Sequence, residues 1–209
     1  MARLLYIEAS PRKDRSASIE IARTFVTEYQ NTHPGDVIDT LDLWKTNLPE
    51  FDGDVVDAKY AILHGLKHTE AQRQAWSAVE KVISHFTGAD KYLFSLPMWN
   101  FGIPYKLKHY IDVLTQPGYT FSFTPGEGYK GLVTGKPAAV VYARGGSYPA
   151  GTGTASFDLQ KPYLELLLGF IGFKGVQSIV IEPTLRYPEE TEKAKTAGRD
   201  LAKKVAAGF

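Results

Sequence analysis

The chain of 209 residues contains no cysteine, which excludes disulfide bonds, thiol catalysis, zinc–thiolate sites and iron–sulfur clusters. It also lacks an excess of either charge, with 24 basic and 23 acidic residues, so electrostatics gives no reason to expect nucleic acid or an anionic membrane as a partner. No apolar run approaches the length of a membrane span, and the first residues do not form a secretory signal. We therefore expect a cytoplasmic protein with a single domain over residues 1–209.

What the chain does have is a regular alternation of short apolar runs and helical patterns. The predicted strands are Leu4–Ala9, Val37–Leu41, Tyr92–Leu96, Ala138–Tyr142 and Val176–Ile181. The predicted helices are Ser16–Asn31, Val55–Leu63, Ala71–Phe86, Tyr105–Leu114, Phe157–Ile171 and Glu189–Ala207. Because the strands are continuously apolar, they predict a parallel sheet covered by helices on both faces. The fold class is α/β, and five strands is the count of a flavodoxin-like sheet.

Two segments depart from the alternation. Residues 42 to about 70 are long and mixed in pattern, and we expect a loop there that contains the short helix Val55–Leu63. Tyr119–Thr134 alternates β-forming residues around the turn Pro125-Gly126-Glu127-Gly128. This pattern predicts an inserted β-hairpin.

The first candidate site follows the first strand, in the stretch SPRKDRSAS at residues 10–18. Ser10, Ser16 and Ser18 supply hydroxyl groups, and the helix that begins beside them supplies unpaired N–H groups and a partial positive charge. Together they suit a phosphate. The alternative is that Ser16 only caps the helix. Since the stretch is neither a Walker P-loop nor a dinucleotide glycine motif, a monophosphate is the ligand we infer.

The second candidate site is the loop after the third strand, Leu96-Pro97-Met98-Trp99-Asn100-Phe101-Gly102-Ile103-Pro104. Pro97 ends the strand, and Gly102 with Pro104 allows a sharp turn into the next helix. The apolar side chains around Asn100 are what a planar heteroaromatic ligand requires. Ordinary packing within the loop is the alternative.

The third candidate site follows the fourth strand, at Ala143-Arg144-Gly145-Gly146. Adjacent glycines leave backbone N–H groups accessible and permit a positive φ, so the chain could approach the polar edge of a ligand closely. A plain turn is the alternative. Three contacts result, namely a phosphate site, an aromatic clamp and a polar edge, and these are the contacts that flavin mononucleotide (FMN) requires.

The sequence resembles the FMN-dependent NADH:quinone oxidoreductase and NADH-azoreductase family of the AzoR type. The resemblance rests on SPRKDRSAS, SLPMWNFGIPYKLKHYIDVLTQPGYTF, GYKGLVTGK, ARGG and LLGFIGF, in order over most of the chain. It implies a flavodoxin-like homodimer with one bound FMN per subunit near the interface. It also implies that NADH is the electron donor, that quinones or azo compounds are reduced, and that the two half-reactions follow each other in a ping-pong cycle.

The resemblance also implies roles for particular residues of this chain. The phosphate would be held by Ser10, Ser16, Ala17 and Ser18. The flavin and its ribityl chain would be lined by Pro97, Met98, Trp99, Asn100 and Phe101, with Ala143, Arg144, Gly145 and Gly146 along the ring. This chain departs from the pattern at two positions: Ala143 stands where Ser is common, and Phe123 where some members have Tyr.

The hairpin aromatics, including Phe123 and Tyr129, outnumber what a two-stranded hairpin can bury. We therefore expect Phe123 and Tyr129 to form, with Trp99 and Phe101, a substrate pocket over the flavin ring that a second subunit completes. The histidines show no metal-ligand spacing, so we predict no metal. We name no catalytic side chain, since hydride transfer is the chemistry of the cofactor.

Two other functions remain open at this stage. One is an NAD(P)H-dependent FMN, nitro or chromate reductase on the same fold. The other is a flavodoxin-type electron carrier, but such carriers have strongly acidic faces, and the charge of this chain is balanced.

Overall fold

Strands and helices alternate along the chain as the sequence predicts, and the computed structural model describes all 209 residues. The strands are β1 Arg3–Glu8, β2 Val37–Asp42, β3 Lys91–Pro97, β4 Phe121–Thr124, β5 Gly128–Gly131, β6 Ala138–Ala143 and β7 Gln177–Ile181. The α-helices are α1 Ala17–Thr32, α2 Gly53–Leu63, α3 Glu70–Thr87, α4 Tyr105–Leu114, α5 Gln160–Ile171 and α6 Pro188–Ala207.

Five of the strands form one parallel sheet in the order β2-β1-β3-β6-β7. This is the flavodoxin-like order, and it confirms the predicted fold class. β4 and β5 form a separate antiparallel hairpin, which is also as predicted.

The centre of the sheet is buried on both faces, because β1, β3 and β6 are mostly apolar. In β1, Leu4 and Tyr6 point to one face, where they pack in a cluster with residues of α1 and α6. Leu5 and Ile7 point to the other face, into a larger cluster with residues of α2, α3, α4 and α5. The period of two along the strand thus divides its side chains between two helical layers.

The predicted start of α5 at Phe157 is wrong by three residues. Ala155–Phe157 form a short 3-10 turn, and the α-helix begins at Gln160. The carboxylate of Asp158 accepts the N–H groups of Gln160 and Lys161, both at 3.1 Å. An acidic side chain that bonds the first free N–H groups starts the helix there.

The hairpin lies at the amino-terminal edge of the sheet. It follows α4, which runs antiparallel to the strands and therefore ends at that edge. The Val133 N–H group donates to the Ile171 carbonyl at 2.9 Å, at the end of α5. A Cβ at Gly131 would stand 2.3 Å from the Gly172 nitrogen, so only glycine allows this close approach. The rings of Phe121 and Phe170 pack with centroids 4.8 Å apart.

Among the helices, none combines the length and the apolar character that a membrane crossing requires.

Candidate functional site

Three loops meet at the carboxyl-terminal edge of the sheet, after the neighbouring strands β1, β3 and β6. Hydrogen bonds join each to the next: the Ala9 N–H group donates to the Ser95 carbonyl at 2.9 Å, and that of Met98 to the Ala143 carbonyl at 2.8 Å. The structure therefore brings together the three stretches that the sequence singled out.

Backbone strain is concentrated in two of these loops. Lys13, Asn100 and Phe101 have φ values of 49°, 46° and 70°, and they are the non-glycine residues with positive φ in this chain. Such conformations are costly and cluster at ligand sites. The sequence predicted that Gly102 would permit the sharp turn, but the neighbouring Asn100 and Phe101 adopt the left-handed conformation instead.

The first loop presents a candidate anion site at the start of α1. Ser10, Ser16 and Ser18 are all buried. Ser16 accepts the Ile19 N–H group at 3.4 Å and lies 3.1 Å from the Ser18 hydroxyl, so it does cap the helix. The N–H groups of Ala17 and Ser18 nevertheless have no acceptor within the chain. Two unpaired donors at a helix N-terminus fit a phosphate.

The basic residues of this loop divide into two kinds. The Lys13 ammonium contacts Glu8 at 3.2 Å and Asp42 at 2.5 Å, so it joins the loop to β1 and β2. Arg12 and Arg15 are exposed, and their guanidinium groups have no partner. They alone remain available to an anion.

Beneath the first two loops, a polar pair lies within the sheet. The hydroxyl groups of Tyr6 and Ser95 are buried 3.1 Å apart. Burial raises the pKa of Tyr6, because the phenolate would be poorly solvated there. Tyr6 therefore remains a neutral hydroxyl that supports the loops, and it has no access to a ligand.

The second loop is closed by backbone hydrogen bonds between its own residues, and one side of it is exposed to solvent. Trp99 and Gly102 exchange two backbone hydrogen bonds of 3.0 and 2.9 Å. The N–H groups of Asn100 and Phe101, between them, have no acceptor in the chain. Trp99 is 36% exposed and Phe101 45% exposed, so apolar surface and unpaired donors face the same edge.

Further aromatic rings, which sequence reasoning missed, position the second loop. Trp44, in the loop after β2, packs against Trp99 with centroids 5.7 Å apart. Phe157 stacks on Phe101 at 5.2 Å, and Tyr148 meets Phe101 edge-on at 6.5 Å. Trp44 follows β2, which ends at this same edge of the sheet. Its position directly after a predicted strand was the signal in the sequence that could have placed it near the site.

In the third loop, most backbone carbonyl groups accept a hydrogen bond, but three backbone N–H groups donate none. The N–H groups of Gly145, Gly146 and Ser147 have no acceptor in the chain. The Arg144 carbonyl accepts the Thr184 N–H group at 2.8 Å, and the Gly145 carbonyl accepts that of Leu185 at 3.2 Å. Three consecutive unpaired donors can bond the polar edge of a planar ligand.

The reason for glycine in this loop differs from the one expected. Neither Gly145 nor Gly146 has a positive φ. Instead a Cβ at Gly145 would stand 2.8 Å from the Leu185 side chain, and one at Gly146 would stand 3.0 Å from the Tyr148 hydroxyl. The glycines make room for these two side chains.

Arg144 requires a correction, because its side chain does not lie along the open edge. The residue is 3% exposed and its guanidinium bonds Asp158 at 2.7 Å and Glu182 at 3.1 Å. Only its backbone belongs to the loop. Ala143 is buried at the end of β6, where its carbonyl accepts the Met98 N–H group.

Phe123 and Tyr129 lie apart from the other predicted site residues. Their rings contact each other at 5.0 Å, at the amino-terminal edge of the sheet. They are 57% and 67% exposed. Within one subunit they therefore cannot form a pocket with Trp99 and Phe101.

A cavity of about 1310 Å³ continues from the second loop and not from the hairpin. It runs from Trp99 and Asn100 along α4, between the first turns of α5 and the segment that leads into α2. Lys59 lines its far side, and burial lowers the pKa of this ammonium group. The chain presents no cluster of acidic and histidine side chains that could hold a metal.

The fold and the three loops define a flavodoxin-like protein whose site fits a ligand with a phosphate at one end and a planar ring at the other. In agreement, the family model for the flavodoxin-like fold matches residues 2–205. An FMN-dependent NADH:quinone oxidoreductase from Desulfotalea psychrophila is 52% identical over 209 residues, which cover 98% of each protein.

Solved structures agree as well. An azoreductase from Bacillus anthracis str. Sterne superposes with a TM-score of 0.93 at 34% identity, over 100% of both chains. An FMN-dependent NADH-azoreductase from Bacillus anthracis str. Ames Ancestor, in complex with FMN, gives a TM-score of 0.87 at 26% identity, over 99% of this chain and 100% of that one. The chain belongs to the family of FMN-dependent NADH:quinone oxidoreductases and azoreductases, which confirms the resemblance found in its sequence.

Proposed function

We propose that the protein binds FMN at the carboxyl-terminal edge of its sheet and uses NADH to reduce quinones to hydroquinones and to cleave aromatic azo compounds. The observation that carries this proposal is that all three loops present unpaired N–H groups, among them those of residues 17, 18, 100, 101 and 145–147. The names of the relatives supply the cofactor, the electron donor and the substrate classes.

The first loop fits the phosphate of FMN. Ala17 and Ser18 would donate through their backbone, and Ser10, Ser16 and Ser18 through their hydroxyl groups. Because the phosphate is charged, each of these bonds contributes about twice as much as a neutral one.

The second and third loops fit the isoalloxazine ring and the ribityl chain. Pro97, Met98 and Trp99 would line them on one side, with the donors of Asn100 and Phe101 at the rim. The backbone of Ala143 and Arg144 would place the N–H groups of Gly145 and Gly146 at the polar edge of the ring. Positioned donors at this edge stabilise negative charge that develops there on reduction.

Bound FMN would supply the hydride chemistry, and the protein would supply position, charge stabilisation and exclusion of water. Trp99 and Phe101 present apolar surface beside the ring site, on which nicotinamide and then a flat quinone can stack. Since both substrates would use one slot in turn, we expect ping-pong kinetics.

A second copy of the chain would complete the site. Phe123 and Tyr129 are exposed at the edge opposite to their own subunit's loops, so they can reach a substrate slot only in another subunit. We therefore propose a homodimer in which each hairpin covers the FMN site of its partner. A cytoplasmic location would give such an enzyme access to NADH.

The experiment that tests the function is an absorbance spectrum of the purified protein, followed by anaerobic titration with NADH and a quinone chase. We expect a flavin spectrum that NADH bleaches and that the quinone restores. A preparation that cannot be reconstituted with FMN would contradict the proposal. Efficient bleaching without restoration by any quinone or azo compound would favour a flavin, nitro or chromate reductase instead.

A further inference from the structure

Behind the third loop, four side chains form a buried network, here named the Arg144 brace: Arg144, Asp158, Gln160 and Glu182. All three guanidinium nitrogens are bonded, Nε to Gln160 at 3.2 Å, Nη1 to Glu182 at 3.1 Å and Nη2 to Asp158 at 2.7 Å. The side chains of Asp158 and Glu182 are 13% and 16% exposed. The network therefore holds one cation against two carboxylates largely out of water.

The brace is bonded to both ends of the third loop. Arg144 itself precedes the unpaired N–H groups of residues 145–147. At the far end, Glu182 accepts the Tyr148 N–H group at 3.2 Å with the same oxygen that contacts Arg144. The loop is thus fixed on either side of its open donors.

The brace is also connected to the second loop, through the segment around Asp158. Next to Asp158, the Leu159 N–H group donates to the Phe101 carbonyl at 3.0 Å. On the other side, the Phe157 ring stacks on the Phe101 ring. Asp158 therefore holds the segment that supports a residue in a strained backbone conformation, with φ of 70°.

Stability alone is a poor reason for such a network. Burying one cation and two carboxylates costs desolvation energy, and well-packed apolar residues of similar volume often give equal or greater stability. The planar guanidinium can however fix three acceptors in one plane, which neither an apolar side chain nor lysine can do. The brace is therefore suited to fixing the relative positions of the groups that it bonds.

We propose that Arg144 is a positioning residue that acts through Asp158 and Glu182. The brace holds the N–H groups of Gly145, Gly146 and Ser147, together with the Phe101 ring, in the arrangement that the flavin ring requires. This inference rests on the proposed function, because it takes FMN to be the ligand of the three loops.

The test compares variants of the full-length apoprotein. In Arg144→Met/Asp158→Asn/Glu182→Gln, the network is neutral, so no buried charge is left unpaired. Arg144→Lys keeps the charge but not the planar fork. The matched control is Arg3→Met/Asp39→Asn, which removes an ion pair of 3.2 Å at the opposite edge of the sheet. Should the neutral triple variant not fold, Glu182→Gln alone takes its place.

Two quantities are measured for each folded variant. The first is the Kd for FMN and for riboflavin, since a defect at the ring end must weaken both by the same factor. The second is amide hydrogen exchange of Tyr148 and Leu159 in the apoprotein, because these N–H groups anchor the third and second loops and report on the brace without any cofactor.

We expect the triple variant to bind FMN and riboflavin about tenfold more weakly, equivalent to about 1.4 kcal/mol, with faster exchange at Tyr148 and Leu159. Arg144→Lys should show an intermediate change, Glu182→Gln a smaller one in the same direction, and the control none. Unchanged Kd values or unchanged exchange in the folded brace variants would overturn the proposal. If the wild-type protein binds no FMN, the proposed function fails, whereas normal binding by brace variants overturns only this inference.

Discussion

The two edges of the sheet differ in the hydrogen bonds that side chains make to the backbone. At the amino-terminal edge, the N–H groups of Ala2 and Arg3 donate to the carboxylates of Asp36 and Asp90, at 2.6 and 2.8 Å. At the carboxyl-terminal edge, N–H groups on all three loops, among them those of residues 17, 18, 100, 101 and 145–147, have no acceptor in the chain. Because ligands of this fold bind outside the carboxyl ends of the strands, the unpaired donors on these loops stand where a ligand can accept them.

The two edges also differ in backbone conformation. The non-glycine residues with positive φ, namely Lys13, Asn100 and Phe101, all lie in loops of the carboxyl-terminal edge. At the amino-terminal edge the Lys136 ammonium binds the carbonyls of Thr87 and Ala89, at 2.5 and 2.6 Å. At the amino-terminal edge charged side chains bind the chain's own backbone, whereas the carboxyl-terminal edge combines strained residues with unpaired donors on three adjoining loops.

The largest effect is expected from Ser16→Ala/Ser18→Ala. Hydrogen bonds to a charged group contribute about 1.5–3 kcal/mol each, so FMN should bind at least about tenfold more weakly for each bond lost. Riboflavin has no phosphate, so the wild-type protein should already bind it poorly and the variant should change that affinity little. Both affinities are measured by fluorescence titration of the apoprotein.

The control for this variant is Thr32→Ala, which removes a hydroxyl at the other end of the same helix. Because Ser16 also caps α1, the free energy of unfolding of the apoprotein is measured in parallel and should fall by about 1 kcal/mol. Equal affinity of the wild-type protein for FMN and riboflavin would contradict the phosphate assignment.

The next effect concerns the third loop. Gly145→Val places side-chain atoms where Leu185 lies, 2.8 Å from the Cβ position, so either Leu185 or the loop must move. We expect lower FMN occupancy in a protein that remains folded, measured as the flavin-to-protein absorbance ratio. Gly35→Val is the control, because a Cβ there has no neighbour within 4 Å. Wild-type occupancy and turnover in Gly145→Val would show that the loop is an ordinary turn.

A smaller effect is expected from the aromatic residues of the proposed substrate slot. Trp99→Ala and Phe123→Ala should lower kcat/KM for quinones more than they change the rate of flavin reduction by NADH. Stopped-flow traces separate the two half-reactions. A mixed dimer can carry Phe123→Ala in one subunit and Trp99→Ala in the other. If each hairpin covers its partner's site, one active site then contains both substitutions and the other contains neither. Intersecting double-reciprocal lines for the wild-type protein would exclude a shared slot.

The smallest effect on cofactor binding is expected from Lys136→Met at the amino-terminal edge. It removes charged hydrogen bonds to two carbonyls, so the free energy of unfolding should fall by about 1–3 kcal/mol. The Kd for FMN should stay at the wild-type value. A large loss of FMN affinity in this folded variant would mean that the two edges are not independent.

The sequence predicted the fold well because its signals are local. Continuous apolar strands and amphipathic helices follow directly from residue spacing, and the strand bounds agree to within one or two residues. The hairpin was predictable for the same reason, since Pro125 and the two glycines beside Glu127 mark its turn.

The candidate site was predictable as a set of loops, but the positions of single side chains were not. Arg144 follows a strand that ends at the site, yet only the folded chain shows that Asp158 and Glu182, 14 and 38 residues away, draw its side chain inward. Phe101 adopts a left-handed conformation that its residue type disfavours, while Gly102 beside it does not. Tertiary contacts decided both outcomes.

The position of Phe123 and Tyr129 was likewise not predictable from the sequence. Their exposure was a reasonable expectation from composition, but composition does not say at which edge of the sheet a hairpin lies. The direction of α4 decides it, and it places both rings out of reach of their own subunit's loops.

The most direct test of the account is an NMR titration of the ¹⁵N-labelled apoprotein with FMN and, separately, with riboflavin. FMN should shift the amide protons of Ala17, Ser18 and residues 145–147 downfield, because each gains an acceptor, and the N–H groups of Ala2 and Arg3 should not move. Riboflavin should reproduce the shifts of residues 145–147 and leave Ala17 and Ser18 unchanged. Saturable FMN binding that leaves the amides of all three loops unperturbed would contradict the account.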